Sequence, residues 1–364
     1  MGFREMRRFI KYVLLLATMA IAVVTLIFSA AVKSDYNMAS LIQSVLPFLL
    51  LLNAGLLLYW LLRRSWWFLF PVVAILSHWN YMAASYQFKG NNASVTAERV
   101  DSATYRICTY NVHSFAYGIS KVSVDMIGEY LAKNKVDILC IQEFDHGKNL
   151  SLGNIEQSFS TLPNHVYCLQ DTGLSMAIFS KYPMMHLKRV RYGKDGCRTL
   201  FCDIKLGKDT VRLINCHLQT TNFNQTRFRN SPGLWFWNYQ EQVYKTKHAI
   251  KIVEYNTLRR NIQVRFLERL IKESPYPVLL SGDFNSSPAS YAYRSIEKRL
   301  TDGFKESGSG YLYTYNYLLH LFRIDFIFHS KGLVGTEYWS DKLDFSDHNP
   351  TVMTFGFSPK QVIP

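Results

Sequence analysis

The chain has 364 residues, 48% hydrophobic and 15% aromatic, and its 41 Lys and Arg outweigh 27 Asp and Glu to give a formal charge of +14. At roughly 100 to 200 residues per domain this length excludes one small folding unit and favours two or three. The positive balance favours anionic partners, and the six cysteines have no paired metal spacing, which argues against a structural zinc module.

From Tyr12 to Val32 the sequence "YVLLLATMAIAVVTLIFSAAV" carries no charge. A bilayer is crossed by about 20 apolar residues and a signal-peptide core has about 7 to 15, so this stretch reads as a retained anchor. Two further apolar runs, 39–62 and 66 to about 86, make residues 1–86 an expected anchor of three transmembrane helices. Pro47 and Gly55 in the second run are tolerated in a membrane helix. Arg4, Arg7, Arg8 and Lys11 precede the first span, and Arg63 and Arg64 separate the second from the third. By the positive-inside tendency these ends are cytoplasmic, so the N-terminus is inside and everything past the third span is periplasmic, lumenal or extracellular. His78 and Asn80, near the outer end of that span, read as solvated by the interface.

Residues 87–102 are polar and read as a linker to a domain over 103–364. "YRICTYNV" and "VDILCIQEF" read as buried strands, and the helix between them puts Val124, Ile127 and Leu131 on one face. Further strands are expected at "LSMAIFS", "TLFCDIKL", "VRLINCHL", "VLLSGDF", "RIDFIFHS" and "NPTVMTFGF", with helices near 241–272 and 290–300. Mixed helices and buried strands argue an α/β domain with a sizeable core. A Cys197–Cys202 bridge is disfavoured if "CRTLFC" is one strand, because an offset of five residues points them to opposite faces.

The strands end in polar residues that a core does not need. These are Asn111, Glu143, His217, Asp283 with Asn285, Asp325, and Asp347 with His348. Each ending alone is equally an Asx turn, a cap or a core histidine; together they form a set with no Ser or Cys beside a base. Carboxylates and amides suit Mg²⁺, which takes oxygen ligands and substrate phosphate, while a histidine can move a proton or offset negative charge.

The ordered set "YNV", "IQE", "CHL", "GDFN", "RIDFIF" and "SDHNP" resembles the endonuclease/exonuclease/phosphatase superfamily, the deoxyribonuclease I-like proteins, over about 107–357. The resemblance implies a four-layered α/β sandwich of two packed mixed sheets, here preceded by three transmembrane helices. It also implies one or two divalent metals, Mg²⁺ or Mn²⁺ in its place. Glu143 would be the principal metal ligand, with Asn111 and Asp347 supporting it. Asp283 would orient or deprotonate the attacking water, Asn285 would bind phosphate, His348 would pair with Asp325, and His217 would donate to the scissile phosphate. His113 stands where some branches have a metal-binding aspartate and reads as a loop residue; Arg323 reads equally as an orienting group for Asp325 or a structural ion pair.

The resemblance implies a phosphoester substrate, and a lipid head group and a nucleic acid are the two expected classes. Arg227, Arg229, Trp235 and Trp237, in "TTNFNQTRFRNSPGLWFWNYQ", are the candidate substrate contacts, because cations and large rings suit a membrane interface or a stacked base. Tethering to a bilayer raises the effective concentration of membrane-borne substrate and favours lipid. An extracytoplasmic nuclease and a non-catalytic binding protein on the same scaffold are the alternatives. No protein partner is inferable.

Overall fold

The uncharged runs at the N-terminus become helices in the computed structural model, which describes residues 2–31, 39–88, 103–118, 121–144, 150–169, 175–192, 197–220 and 239–359. Two of them, α1 (Phe3–Ala31) and α2 (Ala39–Leu62), contain the described stretches long and apolar enough to cross a bilayer, Phe3–Ser29 and Gln43–Leu62. The third expected span is not one helix. A 3-10 turn at Trp66–Phe68, α3 (Leu69–Leu76) and α4 (Trp79–Ser85) follow one another, with a break at Ser77 and His78. His78 explains the break: it is 3% exposed, and its Nε2 lies 2.9 Å from the Thr25 carbonyl, so it is packed between helices and not solvated at an interface. Asn53 and Trp60 likewise bond to Thr25 and Thr18, polar contacts of the kind that join apolar helices.

The described residues fall into two units, one within Met1–Ala83, Thr221–Leu258 and Ala289–Tyr291, the other within Ala84–Thr220, Arg259–Pro288 and Ala292–Pro364. Most of the expected linker, 89–102, lies outside the described residues, but its first residue belongs to a short strand, β1 (Tyr86–Gln87).

The second unit is built on two six-stranded sheets. The first contains β2 (Thr104–Asn111), β3 (Ile138–Phe144), β4 (Asn164–Cys168), β5 (Ser175–Ser180), β13 (Leu333–Ser340) and β14 (Thr351–Phe357) in the order β13-β14-β2-β3-β5-β4. The second contains β6 (Met184–Arg191), β7 (Cys197–Leu206), β8 (Asp209–His217), β9 (Val278–Asp283), β10 (Thr301–Asp302) and β12 (Asp325–His329) in the order β10-β12-β9-β8-β7-β6. Each sheet is mixed: β2 and β3 run parallel, as do β8 and β9, and the other neighbours run antiparallel. A remaining pair, β1 with β11 (Gly310–Tyr311), stands apart.

Ile107, Cys140, Leu213, Leu279, Ile327 and Met353 come from both sheets and fill the core between them. Val124, Ile127 and Leu131, spaced for one helical face, pack the helix Lys121–Lys133 on the outside of the first sheet. Tyr293, in the helix Tyr291–Glu297, lays its ring against Phe326 and Phe328 on the outside of the second. Helix, sheet, sheet and helix are the expected layers.

The cysteine pairing differs from expectation. Cys197 is bonded to Cys168, with Cα atoms 6.3 Å apart, and Cys202 is a free, buried thiol. Thus the disulfide joins β4 of one sheet to β7 of the other.

Candidate active site

Backbone pairing alone brings three of the expected residues side by side. His217 is the register partner of Asp283 across the parallel pair β8–β9, and Asp325 is the partner of Asp283 across the antiparallel pair β9–β12. Residues on one rung point to the same face, and adjacent strands lie about 4.8 Å apart. Gly282 makes this rung feasible: its φ is +139°, and a Cβ there would stand 1.9 Å from the Cys216 carbonyl oxygen. Only glycine allows the two strands to approach so closely.

The facing sheet brings Asn111 from the end of β2 and Glu143 from β3. Glu143 has φ +51° at an irregularity in the β3–β5 pairing between Ile141 and Phe144, and a bulge of this kind re-aims a side chain. Behind it, Gln142 donates to Asn215 Oδ1 at 2.7 Å, and Asn215 donates to the Ile141 and Ala177 carbonyls, clamping the sheets together one residue away from the site.

Asp283 sits at the centre and is fully buried. Its Oδ2 accepts from Asn111 Nδ2 at 3.0 Å and Asn285 Nδ2 at 3.1 Å, and its Oδ1 accepts from the Asn285 backbone N–H at 2.6 Å. The last contact is an Asx turn, so the turn and the site are the same structure. Asn285 also donates to the Leu218 carbonyl, so both amide hydrogens are used within the loop. Burial, then the charge of Asp325, raise the Asp283 carboxyl, and His348 and the Asn285 N–H only partly oppose them.

His348 places Nδ1 2.8 Å from Asp325 Oδ2 and Nε2 3.9 Å from Asp283 Oδ2. Burial disfavours its charge, but Asp325 and Asp283 overcome this and raise its pKa to about 10. His217 is the opposite case: burial, followed by Arg198 and His348, holds it neutral. The Arg198 guanidinium donates to His217 Nδ1 across 3.3 Å, so the ring proton is on Nε2, a tautomer set by its partner. That Nε2 lies 3.4 Å from Glu143 and 3.7 Å from Asp283, approaches of a neutral donor and not ion pairs.

Asp347 is turned elsewhere: its Oδ1 is 2.9 Å from His113 Nδ1. His113 is thus tied to the site's edge. Arg323 makes a fully buried pair with Asp302 at 2.7 Å and has no part in orienting Asp325, whose backbone N–H goes to Thr314 Oγ1. Arg227, Arg229, Trp235 and Trp237 lie outside the described residues. Arg198 is the residue that sequence reading missed; a lone cation opening an apolar strand was its only signal.

The donors fit a hard cation. Glu143, His217 and Asp283 offer atoms within 4.8 Å of one another, as do Asp283, Asp325 and His348. His217 Nε2 and Asp325 Oδ1 are buried without a hydrogen-bond partner, polar atoms aimed into the site. Hard oxygen ligands beside hydrogen-bond donors can hold a divalent metal and a phosphate together.

Fold and site together define a two-sheet α/β hydrolase. The chain belongs to the Endonuclease/Exonuclease/phosphatase family, which matches residues 108–348 and whose members are metal-dependent phosphoester hydrolases. Residues 9–85 match a second family, described as Domain of unknown function (DUF8431). No curated protein matches the chain. Among solved structures it is similar to D. rerio TDP2 complexed with single strand DNA product, at 16% identity and a TM-score of 0.50 over 70% of this chain and 100% of that one. A humanized D. rerio TDP2 gives 17% identity and 0.50 over the same shares, and truncated Caenorhabditis elegans TDP2 gives 15% and 0.50 over 71% and 100%. At these identities the likeness is one of fold.

Proposed function

We propose that the chain is a divalent-metal-dependent phosphoester hydrolase, Mg²⁺ being the metal its donors favour, tethered to a membrane and acting on the non-cytoplasmic side. The observation that carries the reading is the rung His217–Asp283–Asp325 facing Glu143, Asn111 and His348. Glu143 would hold the metal, with Asn111 beside it orienting Asp283 and Asp347 supporting the rim through His113. When bound, the metal supplies positive charge for the phosphoryl oxygens. Asp283, its carboxyl raised toward neutral pH, takes the proton of the attacking water. His348, charged and held by Asp325, offsets the negative charge that builds on the phosphate. His217 donates Nε2–H to a phosphate oxygen, its tautomer fixed by Arg198. Asn285 fixes the Asp283 carboxylate and offers its amide to phosphate only by exchanging a loop partner.

Tethering is supported by two helices of membrane length, and the side by the basic residues in the first turns of α1 and just after α2. On that orientation the broken run 66–85 is a third crossing of a packed kind, with residues 1–86 as anchor and 103–364 as catalytic domain. The Cys168–Cys197 disulfide supports the same side, since such bonds persist in oxidising compartments. A nuclease is the second reading, favoured by the single strand DNA product in the D. rerio protein of this fold.

The test is turnover of bis-p-nitrophenyl phosphate by the purified full chain with Mg²⁺, beside Asp283→Asn and His348→Ala. Activity confined to the parent supports the hydrolase; equal activity in all three sinks it. Protease added to spheroplasts should cut the catalytic domain, and full protection would overturn the assigned side.

A further inference from the structure

Residues 310–322 read "GYLYTYNYLLHLF", thirteen residues without Asp, Glu, Lys or Arg in a chain of charge +14. Along 311–315 buried residues alternate with more exposed ones. Leu312 and Thr314 point inward and are buried, while Tyr311 and Tyr317 are 49% and 60% exposed. Tyr315 pairs with Phe322 across an antiparallel bridge, closing a hairpin whose tip carries Leu318 and Leu319, 57% and 75% exposed. Three successive residues at the tip, Leu318, Leu319 and His320, have φ of 54°, 60° and 57°. Side chains rarely adopt this left-handed backbone, and where it persists the surroundings impose it. Here Tyr311 donates its hydroxyl to the His320 carbonyl at 2.7 Å, and the Tyr313 ring lies 4.6 Å from the His320 ring. The fold therefore holds two leucines outward in a strained turn.

Both ends of this hairpin are informative. Its base is hydrogen bonded to the last residues of the apolar run: Leu312 N–H to the Ser85 carbonyl at 3.0 Å, and Arg323 to the Ala84 carbonyl at 2.9 Å. On its inner side, Tyr315 bridges His348 with rings 5.3 Å apart, and the Asn316 N–H bonds the Asp347 carbonyl at 2.8 Å. One element thus joins the end of the apolar segment to the candidate catalytic imidazole.

Resting on the hydrolase reading above, we infer that this hairpin is a lipid-docking element, and that the substrate class is the phosphodiester of a membrane lipid head group. Tyrosines and leucines without charge match the interfacial layer of a bilayer, where amphipathic rings collect. The salt-dependent attraction that dominates binding to a nucleic acid backbone comes from Lys and Arg, and the hairpin has neither. Water adds to the head-group phosphorus, its proton passes to Asp283, and one P–O ester bond breaks. The products are a phosphomonoester and an alcohol, and no co-reactant is consumed.

The experiment places the full chain, with Leu319→Cys carrying a spin label, in nanodiscs of phosphatidylcholine and phosphatidylglycerol at 3:1. The free cysteines of the domain are buried, so the label is selective. Docking predicts a label reached by oxygen in preference to a water-soluble nickel complex; the reverse overturns it. In parallel, Leu318→Ser/Leu319→Ser should lower product release from the lipid of these nanodiscs at least 10-fold while leaving bis-p-nitrophenyl phosphate turnover unchanged. Equal losses on both substrates, or none, overturn the inference, and so does a parent that cleaves single-stranded DNA but not the nanodisc lipid. If the parent turns over nothing, the hydrolase reading fails, and the depth of the label alone decides the docking.

Discussion

Asn111 donates its side-chain amide to Asp283 Oδ2 across 3.0 Å, although the two residues are 172 apart in sequence and lie in different sheets. This bond holds a buried carboxylate in place from the opposite side of the sandwich. Asn111→Leu should lower turnover by about 10- to 100-fold, since it removes the group that orients the proton-accepting carboxylate beside the metal site. It should also move the acidic limb of the pH–rate profile upward, because the Asp283 anion loses a hydrogen bond. An unshifted profile with unchanged turnover would show that Asp283 is oriented without Asn111.

Metal dependence has a separate signature at Glu143. Chelation with EDTA should abolish turnover and Mg²⁺ should restore it. Glu143→Gln should need roughly 10-fold more Mg²⁺ for half-maximal rate, since it removes a charged oxygen ligand. A Mg²⁺ titration that matches the parent's would exclude Glu143 from the metal site.

Arg323 and Asp302 form a pair with both side chains fully buried, and the guanidinium lies over the rings of Phe304, Phe326 and Tyr338. Removing one member strands the other charge. Arg323→Ala should therefore cost about 3–5 kcal/mol, whereas Arg323→Met with Asp302→Leu should recover much of that. Thermal unfolding of the three proteins in one detergent checks it, and a double variant no better than the single one would contradict it.

His113 and Asp347 supply a pH test. The bond to Asp347 raises His113 against its partial burial. Burial would raise Asp347, but His113 and His348 outweigh it and hold its pKa below the usual value. The sign follows: stability from the pair is full between about pH 4 and 6.5, and is lost as pH rises through the raised His113 value or falls through the depressed Asp347 value. His113→Gln should then cost about 1 kcal/mol at pH 6 and less at pH 9, measured with EDTA present. A cost independent of pH would assign the loss to the left-handed backbone at 113 and not to charge.

Opening the Cys168–Cys197 bond frees a loop of 29 residues, worth about 3–4 kcal/mol in the chain-entropy account. Cys168→Ser/Cys197→Ser should lower the melting temperature accordingly, and reductant should do the same to the parent only. Because Cys197 adjoins Arg198, turnover should fall in step as the His217 tautomer loses its partner. A melting temperature indifferent to reductant would refute the bond.

Much of this was written in the strand ends. Apolar runs that stop at Asn111, Glu143, His217 and Asp283, and one that starts at Asp325, mark both a buried strand and the point where its register partner stands, so strand and site are legible together. What escaped was edge and distance. β6, "MMHLKRVR", is an edge strand exposed along most of its length and shows no apolar pattern. β4, "NHVYC", is the edge strand of the other sheet, and its five residues are too short a run to announce the strand that holds the partner of Cys197. The Arg198–His217 and His113–Asp347 contacts are products of tertiary packing, with nothing local to announce them. The third apolar run reads as one helix because hydropathy records transfer to lipid, not the break at Ser77 and His78, where the His78 ring lies against the Thr25 carbonyl.

The rung His217–Asp283–Asp325 has a further implication for how such a protein changes over time. Its spacing is fixed by main-chain pairing in three adjacent strands, while Thr314, Tyr315 and Asn316 in the hairpin base bond Asp325, His348 and Asp347. Exchanging only the hairpin tip, 317–321, would redirect the enzyme to another surface or another alcohol and leave the reacting geometry intact. Inserting a single residue in β9 would turn Asp283 to the opposite face and end the chemistry at once. The scaffold is thus tolerant where it meets the world and intolerant along one line of hydrogen bonds.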